Sequence, residues 1–313
     1  MVGTTPTADE PQTNGIGPHL ALLGVQACFG SLPVVGKTVL TVIPSVALVG
    51  FRIGIATLVF YVFQRRKGSI KLKQRSDYVR VAILGFVGVA LNQFLFVGGL
   101  SLTKASNTSL LAATIPIFTL CIGAYAGIEK IVSTKVVGVL LAAAGVLILI
   151  DPRTASFSSE TTLGDVMIIL NSLAYGVYVI YSKDLLIRNG TLKTIVWVFI
   201  FASISSLPFA AYSLTSVDLA TVTPMIWLMV LYIAIAGTVA PYLLNAWALR
   251  RVAPSTVAVY IYLQPLIGFA FAVVFLNEKV DVKFIAAALF VFAGVYLTTK
   301  RRKRVPVNAD QIQ

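Results

Sequence analysis

With 313 residues, 58% of them hydrophobic and 12% charged, and a mean hydropathy of +0.89, the chain is far too apolar for a soluble globular protein. Its net charge of +13 points to basic loops lying against anionic lipid rather than to nucleic acid. Long unbroken runs of Leu, Val, Ala and Gly exclude a β-barrel, whose strands alternate over about ten residues. An all-α integral membrane protein is expected.

A hydrocarbon core about 30 Å thick needs roughly 20 apolar residues per helix, and ten runs meet that need: 20–40, 43–63, 78–100, 105–127, 134–150, 164–183, 192–213, 224–247, 254–276 and 281–299. Residues 1–19 are polar and carry Asp9 and Glu10 but no Lys or Arg, so they read as a disordered cytoplasmic tail and not as a signal peptide with its basic start. On the first helix Gln26, Phe29, Gly30, Pro33 and Lys37 form one stripe at helical spacing. The second buries Arg52 about nine residues deep. A charge at that depth is a functional candidate, binding a substrate carboxylate or pairing with helix-end carbonyls. The third carries Asn92 and Gln93, and the fourth carries Pro116 and runs into Glu129 and Lys130. The sixth repeats the stripe of the first with Asn171, Tyr175, Tyr178 and Ser182; the eighth holds Tyr242, Asn245 and Trp247. The ninth brings Tyr260 and Gln264 onto one face just before Pro265, whereas the fifth and tenth have almost no polar atoms. Cys28 and Cys121 read as small buried hydrophobes, and no disulfide framework or metal site is expected.

An even number of spans puts both termini on one side, and the basic residues choose it. Arg65 to Arg80, Lys130, Lys135, Lys183, Arg188, Lys193, Arg250, Arg251 and Lys300 to Arg304 fall on the terminal side, against Lys104, Arg153, Lys279 and Lys283 on the other. The expected topology is multi-pass in the plasma (inner) membrane with both termini cytoplasmic, residues 151–163 forming a periplasmic or extracellular linker and 300–313 a basic cytoplasmic tail. Lys37 and Lys183 sit at span ends, where snorkelling to the head groups is the expected role.

The chain also repeats itself. ATIPIFTLCIGAYAGIEKI at 113–131 matches YLQPLIGFAFAVVFLNEKV at 262–280, an offset of 149 that pairs Pro116 with Pro265, Glu129 with Glu278 and Lys130 with Lys279. AGVLIL at 144–149 pairs with AGVYLT at 293–298, and FGSLPVVGK at 29–37 pairs with YGVYVIYSK at 175–183. Two five-helix copies, 20–150 and 164–299, must therefore be inverted relative to one another, a symmetry that supports alternating access. The paired proline then Leu/Ile-Glu-Lys helices, each followed by an Ala-Gly-Val helix, resemble the EamA transporters of the drug/metabolite transporter superfamily. The resemblance covers nearly the whole chain, with Ile128 and Asn277 where a glycine usually precedes the glutamate. It implies ten helices as two inverted EamA repeats and the export of amino acids or other small metabolites.

Polar side chains at mid-membrane depth should face the bundle or an aqueous cavity. The expected substrate-binding set is Gln26, Phe29, Arg52, Asn92, Gln93, Asn171, Tyr175, Tyr178, Tyr242, Asn245, Tyr260 and Gln264, on a cavity lined by helices 1, 3, 4, 6, 8 and 9, with 5 and 10 as scaffold. Phe29 and Tyr175, as repeat mates, are expected to face each other. Pro116 and Pro265 should bend their helices and free backbone carbonyls. Glu129 and Glu278 are expected to cap the following helix or to pair with the adjacent lysine.

No Asp or Glu lies mid-span, and no nucleotide-binding loop, zinc motif or Ser-His pair is present; the one histidine is His19 at the mouth of helix 1. No catalytic residue, cofactor or metal is expected. The predicted protein is a facilitated exporter of amino acids or similar zwitterions, working as a monomer or weak homodimer. The alternative is a carrier of drugs or of phosphorylated or sugar-linked metabolites, with proton coupling left open.

Overall fold

A computed structural model describes residues 15–150, 161–219, 222–276 and 282–300. Helix α1 (Gly17–Leu40) starts with a proline in its first turn and ends with Lys37 in its last. Helix α2 (Ser45–Lys67) follows Pro44 and closes on Arg65, Arg66 and Lys67, stopping at Gly68, whose φ of 132° favours glycine. Helix α3 spans Arg75–Leu102 and α4 comprises Ala105–Ala112 and Ile115–Tyr125. Next come α5 (Ser133–Ile150), α6 (Thr162–Asn189) and α7 (Thr191–Leu214). Only Gly190, at φ 89°, separates α6 from α7. Helix α8 covers Pro224–Leu249; α9 comprises Pro254–Val259, a tight 3₁₀ turn at Tyr260–Tyr262 and Leu263–Leu276; and α10 is Val282–Thr299.

Among the described residues nine helices are long and apolar enough to span a bilayer. The expected span 254–276 is the exception, because α9 changes pitch at Tyr260–Tyr262 and is not one regular helix. Its repeat mate α4 is interrupted at Ala113 and Thr114, just ahead of Pro116. A proline cannot donate to the carbonyl four residues back and its ring crowds that carbonyl, which accounts for both interruptions. A second matched pair of irregularities lies in α3 and α8. Each contains a π turn, Phe86–Leu91 and Ile235–Val239, beginning at positions related by the same offset of 149.

Small residues let the helices approach closely, as expected where lipid supplies no hydrophobic drive for association. Helices α5 and α10 cross where a Cβ on Gly138 would lie 2.7 Å from the Gly294 carbonyl oxygen, and one on Gly145 would lie 2.8 Å from that of Ala287. In α2 a Cβ on Gly50 would fall 2.2 Å from the Cβ of Ala210 in α7. The second half of α3 packs on the start of α6 through Gly99, Gly164 and Ile168, and its counterpart in the other repeat packs α8 on the start of α1. Outward faces carry exposed Leu140, Leu147, Leu289 and Phe292, suited to lipid. Residues 1–14, 151–160, Glu278 with Lys279, and the basic tail beyond Lys300 lie outside the described residues, and residues 17–19 of the expected tail already belong to α1.

Candidate functional site

The two halves border a cavity whose empty space, open mouth included, is about 920 Å³. Helix α1 contributes Phe29 and Leu32, α2 Arg52, α3 Asn92, Gln93 and Phe96, and α4 Thr108, Ser109, Ala112 and Ile115. From the second half come Asn171 and Tyr175 of α6, Pro241, Tyr242 and Asn245 of α8, and Ile261 and Gln264 of α9. Helices α5, α7 and α10 supply no lining residue among those described. The repeat mates Phe29 and Tyr175 border the same space.

Two polar side chains on this wall answer prolines elsewhere. Pro33 cannot donate to the Phe29 carbonyl, and Gln264 Nε2 donates to it at 3.4 Å. Pro241 cannot donate to the Gly237 carbonyl, and Arg52 Nη2 donates to it at 3.1 Å while its Nε donates to Thr238 Oγ1 at 3.1 Å. Arg52 is 5% exposed. Of the two roles open to it from sequence, the structure displays the helix-carbonyl one, and the guanidinium still borders the cavity.

Beside Arg52 stand the Tyr242 phenol and the Gln93 amide. Gln93 is 3% exposed and neither of its amide atoms makes an aligned hydrogen bond. Asn245 Nδ2 donates to the Tyr175 hydroxyl at 2.5 Å, leaving Asn245 Oδ1 without a partner. Asn92 and Asn171 each give an Nδ2 hydrogen to the other's backbone carbonyl, at 3.1 and 2.9 Å. Their donors are therefore committed to joining α3 to α6.

Three expected residues lie off the wall. Tyr178 packs behind it, against Gly88 and between the rings of Tyr175 and Tyr242 at 6.5 and 6.1 Å. Tyr260 turns toward the start of α1, where its hydroxyl is 2.7 Å from His19 Nδ1. Gln26 is buried a turn before Phe29, with its Oε1 unpaired. A helical stripe fixes direction but not distance from the axis, so these residues share the face of the lining set without reaching the cavity.

Both ends of the bundle carry repeat-related contacts, and several correct the reading of single residues. Lys37 Nζ donates to the Thr103 carbonyl at 3.0 Å and its mate Lys183 Nζ donates to the Val252 carbonyl at 3.1 Å. Thr103 and Val252 are themselves repeat mates, just past the ends of α3 and α8, so both lysines complement a helix C-terminus instead of only snorkelling. Near Thr103, the buried Asp165 carboxylate accepts from Thr103 Oγ1 at 2.6 Å and from Asn107 Nδ2. Glu129 caps neither its own next helix nor pairs with Lys130. One of its oxygens accepts the Ser255 N–H at the start of α9 at 2.7 Å and the other pairs with Lys135 at 2.5 Å. Trp247 packs on Gly17 beneath the Arg251 guanidinium, 3.9 Å from its ring centroid. Neither Cys28 nor Cys121 is in a disulfide; Cys28 is half-buried and Cys121 exposed instead of buried, and no metal-ligating cluster occurs among the described residues.

The lining residues that sequence reasoning missed are apolar or small: Leu32, Phe96, Thr108, Ser109, Ile115, Pro241, Ala112 and Ile261. The last two were findable, because each stands four residues before a repeat-related proline.

A ten-helix bundle built of two related halves around a small-molecule cavity defines a multi-pass membrane transporter. The chain matches the EamA-like transporter family over residues 17–151 and 162–300, and it belongs to that family. It is 30% identical over 259 residues to an uncharacterized transporter of Archaeoglobus fulgidus, covering 82% of this chain and 88% of the relative. An uncharacterized transporter of Bacillus subtilis is 26% identical over 294 residues, covering 92% and 88%. A Salmonella typhimurium protein named "probable amino-acid metabolite efflux pump" is 28% identical over 215 residues, covering 62% of this chain and 67% of that one. A solved crystal structure at 18% identity shares the fold with a TM-score of 0.74 over 90% of this chain and 96% of the other. The relatives are transporters and not enzymes.

Proposed function

We propose that this transporter moves amino acids or similar small zwitterions out of the cell by alternating access, running down the substrate gradient without an obligatory coupling ion. The reading places it in the plasma (inner) membrane as a monomer or weak homodimer, with both termini cytoplasmic, the orientation favoured by the basic residues of the loops. One observation carries it. Among the lining residues there is a single cation, Arg52, beside the Gln93 amide and the Tyr242 phenol, with aromatic and aliphatic side chains on the rest of the wall and no carboxylate. A phosphorylated substrate calls for several cations, which this wall lacks. A small molecule with one carboxylate and an apolar body suits it better. The name of the Salmonella relative agrees with that class.

The test is counterflow of labelled amino acids into liposomes holding the purified protein, with and without an imposed pH gradient. Exchange that ignores the gradient supports the reading. Absence of exchange for every amino acid, in liposomes containing folded protein, removes the substrate assignment.

A further inference from the structure

Four prolines stand inside the cavity-lining helices, and each lacks the N–H that the carbonyl four residues back would receive. Those carbonyls belong to Phe29, Ala112, Gly237 and Ile261. Two of them are occupied by side chains, Phe29 by Gln264 and Gly237 by Arg52. The other two belong to repeat mates that both border the cavity. No side chain among the described residues donates to Ala112 O or Ile261 O. At Ile261 the tight turn brings the Leu263 N–H close, a bent contact that leaves a lone pair open.

A second observation fixes where these helix breaks face. The Tyr262 hydroxyl crosses from the break in α9 and donates at 2.9 Å to the carbonyl of Ala113, its own repeat mate, in the break of α4. The two interruptions therefore confront one another across the pseudo-twofold axis, with Ala112 and Ile261 beside the contact. We infer that the Ala112 and Ile261 carbonyls form the receptor for the substrate's ammonium group. An ammonium has three donors and no acceptor. Carbonyl dipoles freed at helix breaks stabilise such a cation without introducing a carboxylate that would have to be kept ionised in the membrane. Gln93, buried against the cavity with neither amide atom in an aligned hydrogen bond, joins Arg52 and Tyr242 to receive the carboxylate. The inference rests on the amino-acid reading for its substrate, and it adds the direction in which the molecule lies: amine toward α4 and α9, carboxylate toward α2, α3 and α8.

The experiment uses three probes on the purified full chain: L-leucine, N-acetyl-L-leucine, which lacks the ammonium, and isoamylamine, which lacks the carboxylate. Each is measured by competition against labelled L-leucine counterflow in liposomes and by thermal stabilisation of the protein. The expected result is that acetylation weakens binding by about tenfold or more, the worth of one charge-assisted hydrogen bond, while the amine still binds. Pro116→Ala and Pro265→Ala return an N–H to Ala112 O and Ile261 O. Each should weaken leucine and isoamylamine together while leaving the elution profile and melting temperature of the protein intact. N-acetyl-leucine binding as well as leucine would overturn the receptor and leave the amino-acid reading standing. Isoamylamine binding that Pro116→Ala abolishes, with leucine silent, would uphold the receptor and remove the amino-acid reading. Silence of all three on folded wild-type protein would remove both. Should a proline variant fail to fold, the wild-type comparison of leucine with its acetyl derivative decides alone.

Discussion

Gly88 and Gly237 are repeat mates in the π turns of α3 and α8, and alanine at the two positions should have unequal consequences. A Cβ on Gly88 would sit 2.4 Å from Tyr178 Cδ2, 2.6 Å from its Cβ and 2.7 Å from its Cγ. A Cβ on Gly237 would sit 2.5 Å from Leu32 Cδ2 and 3.1 Å from Cδ1. Leu32 can turn its terminal methyls aside. Tyr178 cannot, because no side-chain rotation moves its Cβ and its ring is held between Tyr175 and Tyr242. Overpacking of this kind costs about 1–3 kcal/mol, against roughly 1 kcal/mol gained when alanine replaces glycine in a helix. Gly237→Ala should therefore lie within about 1 kcal/mol of wild type. Gly88→Ala should be destabilised by up to about 2 kcal/mol and should lose transport beyond that loss, since the displaced ring pushes on two cavity residues. Thermal unfolding of both variants in one detergent, with transport measured on equal amounts of folded protein, checks the order. Equal effects, or a larger loss for Gly237→Ala, would refute it.

Gln264→Ala strands the Phe29 carbonyl at a cost of about 1–3 kcal/mol. With Tyr175→Ala, it should lower transport several-fold while membrane insertion stays normal; full transport by both variants would show that this cavity is not the path. Glu129→Ala removes the acceptor from the start of α9 and should lower stability by about 1–2 kcal/mol, whereas Glu129→Gln, which still accepts the Ser255 N–H, should lose less; equal melting temperatures for the two would sink the capping role. Lys37→Met and Lys183→Met release matching contacts at opposite ends of the bundle. Cysteines placed beside Thr103 and Val252 should then label faster with maleimide only at the end that was released, and a change at both ends in either variant would contradict separate locks.

The number of spans and the duplication were readable because hydropathy and spacing are properties of the chain alone. Much of the wall of the candidate cavity was readable as well: Phe29, Arg52, Gln93, Tyr175, Tyr242 and Gln264 stood out as polar or aromatic groups at depth, and all border it. What escaped was pairing between the halves. Nothing local in the sequence says that Tyr260 meets His19, that Glu129 reaches the start of α9, or that Lys183 reaches Val252, since each partner lies far off along the chain. The proline-freed carbonyls lie between these cases. Their positions follow from counting back four residues, but which of them find a side-chain donor depends on how α2 and α9 are placed.

The exchange of amides between Asn92 and Asn171 limits how the halves can move. Each amide satisfies a backbone carbonyl on the other helix, at cavity depth and away from bulk water. Pulling α3 straight away from α6 would strand two buried amide donors at once, whereas a tilt about this level would keep them paired. Under the alternating-access proposal the asparagines would serve as a fulcrum: the ends above and below would open in turn like the arms of a seesaw while the middle stays joined.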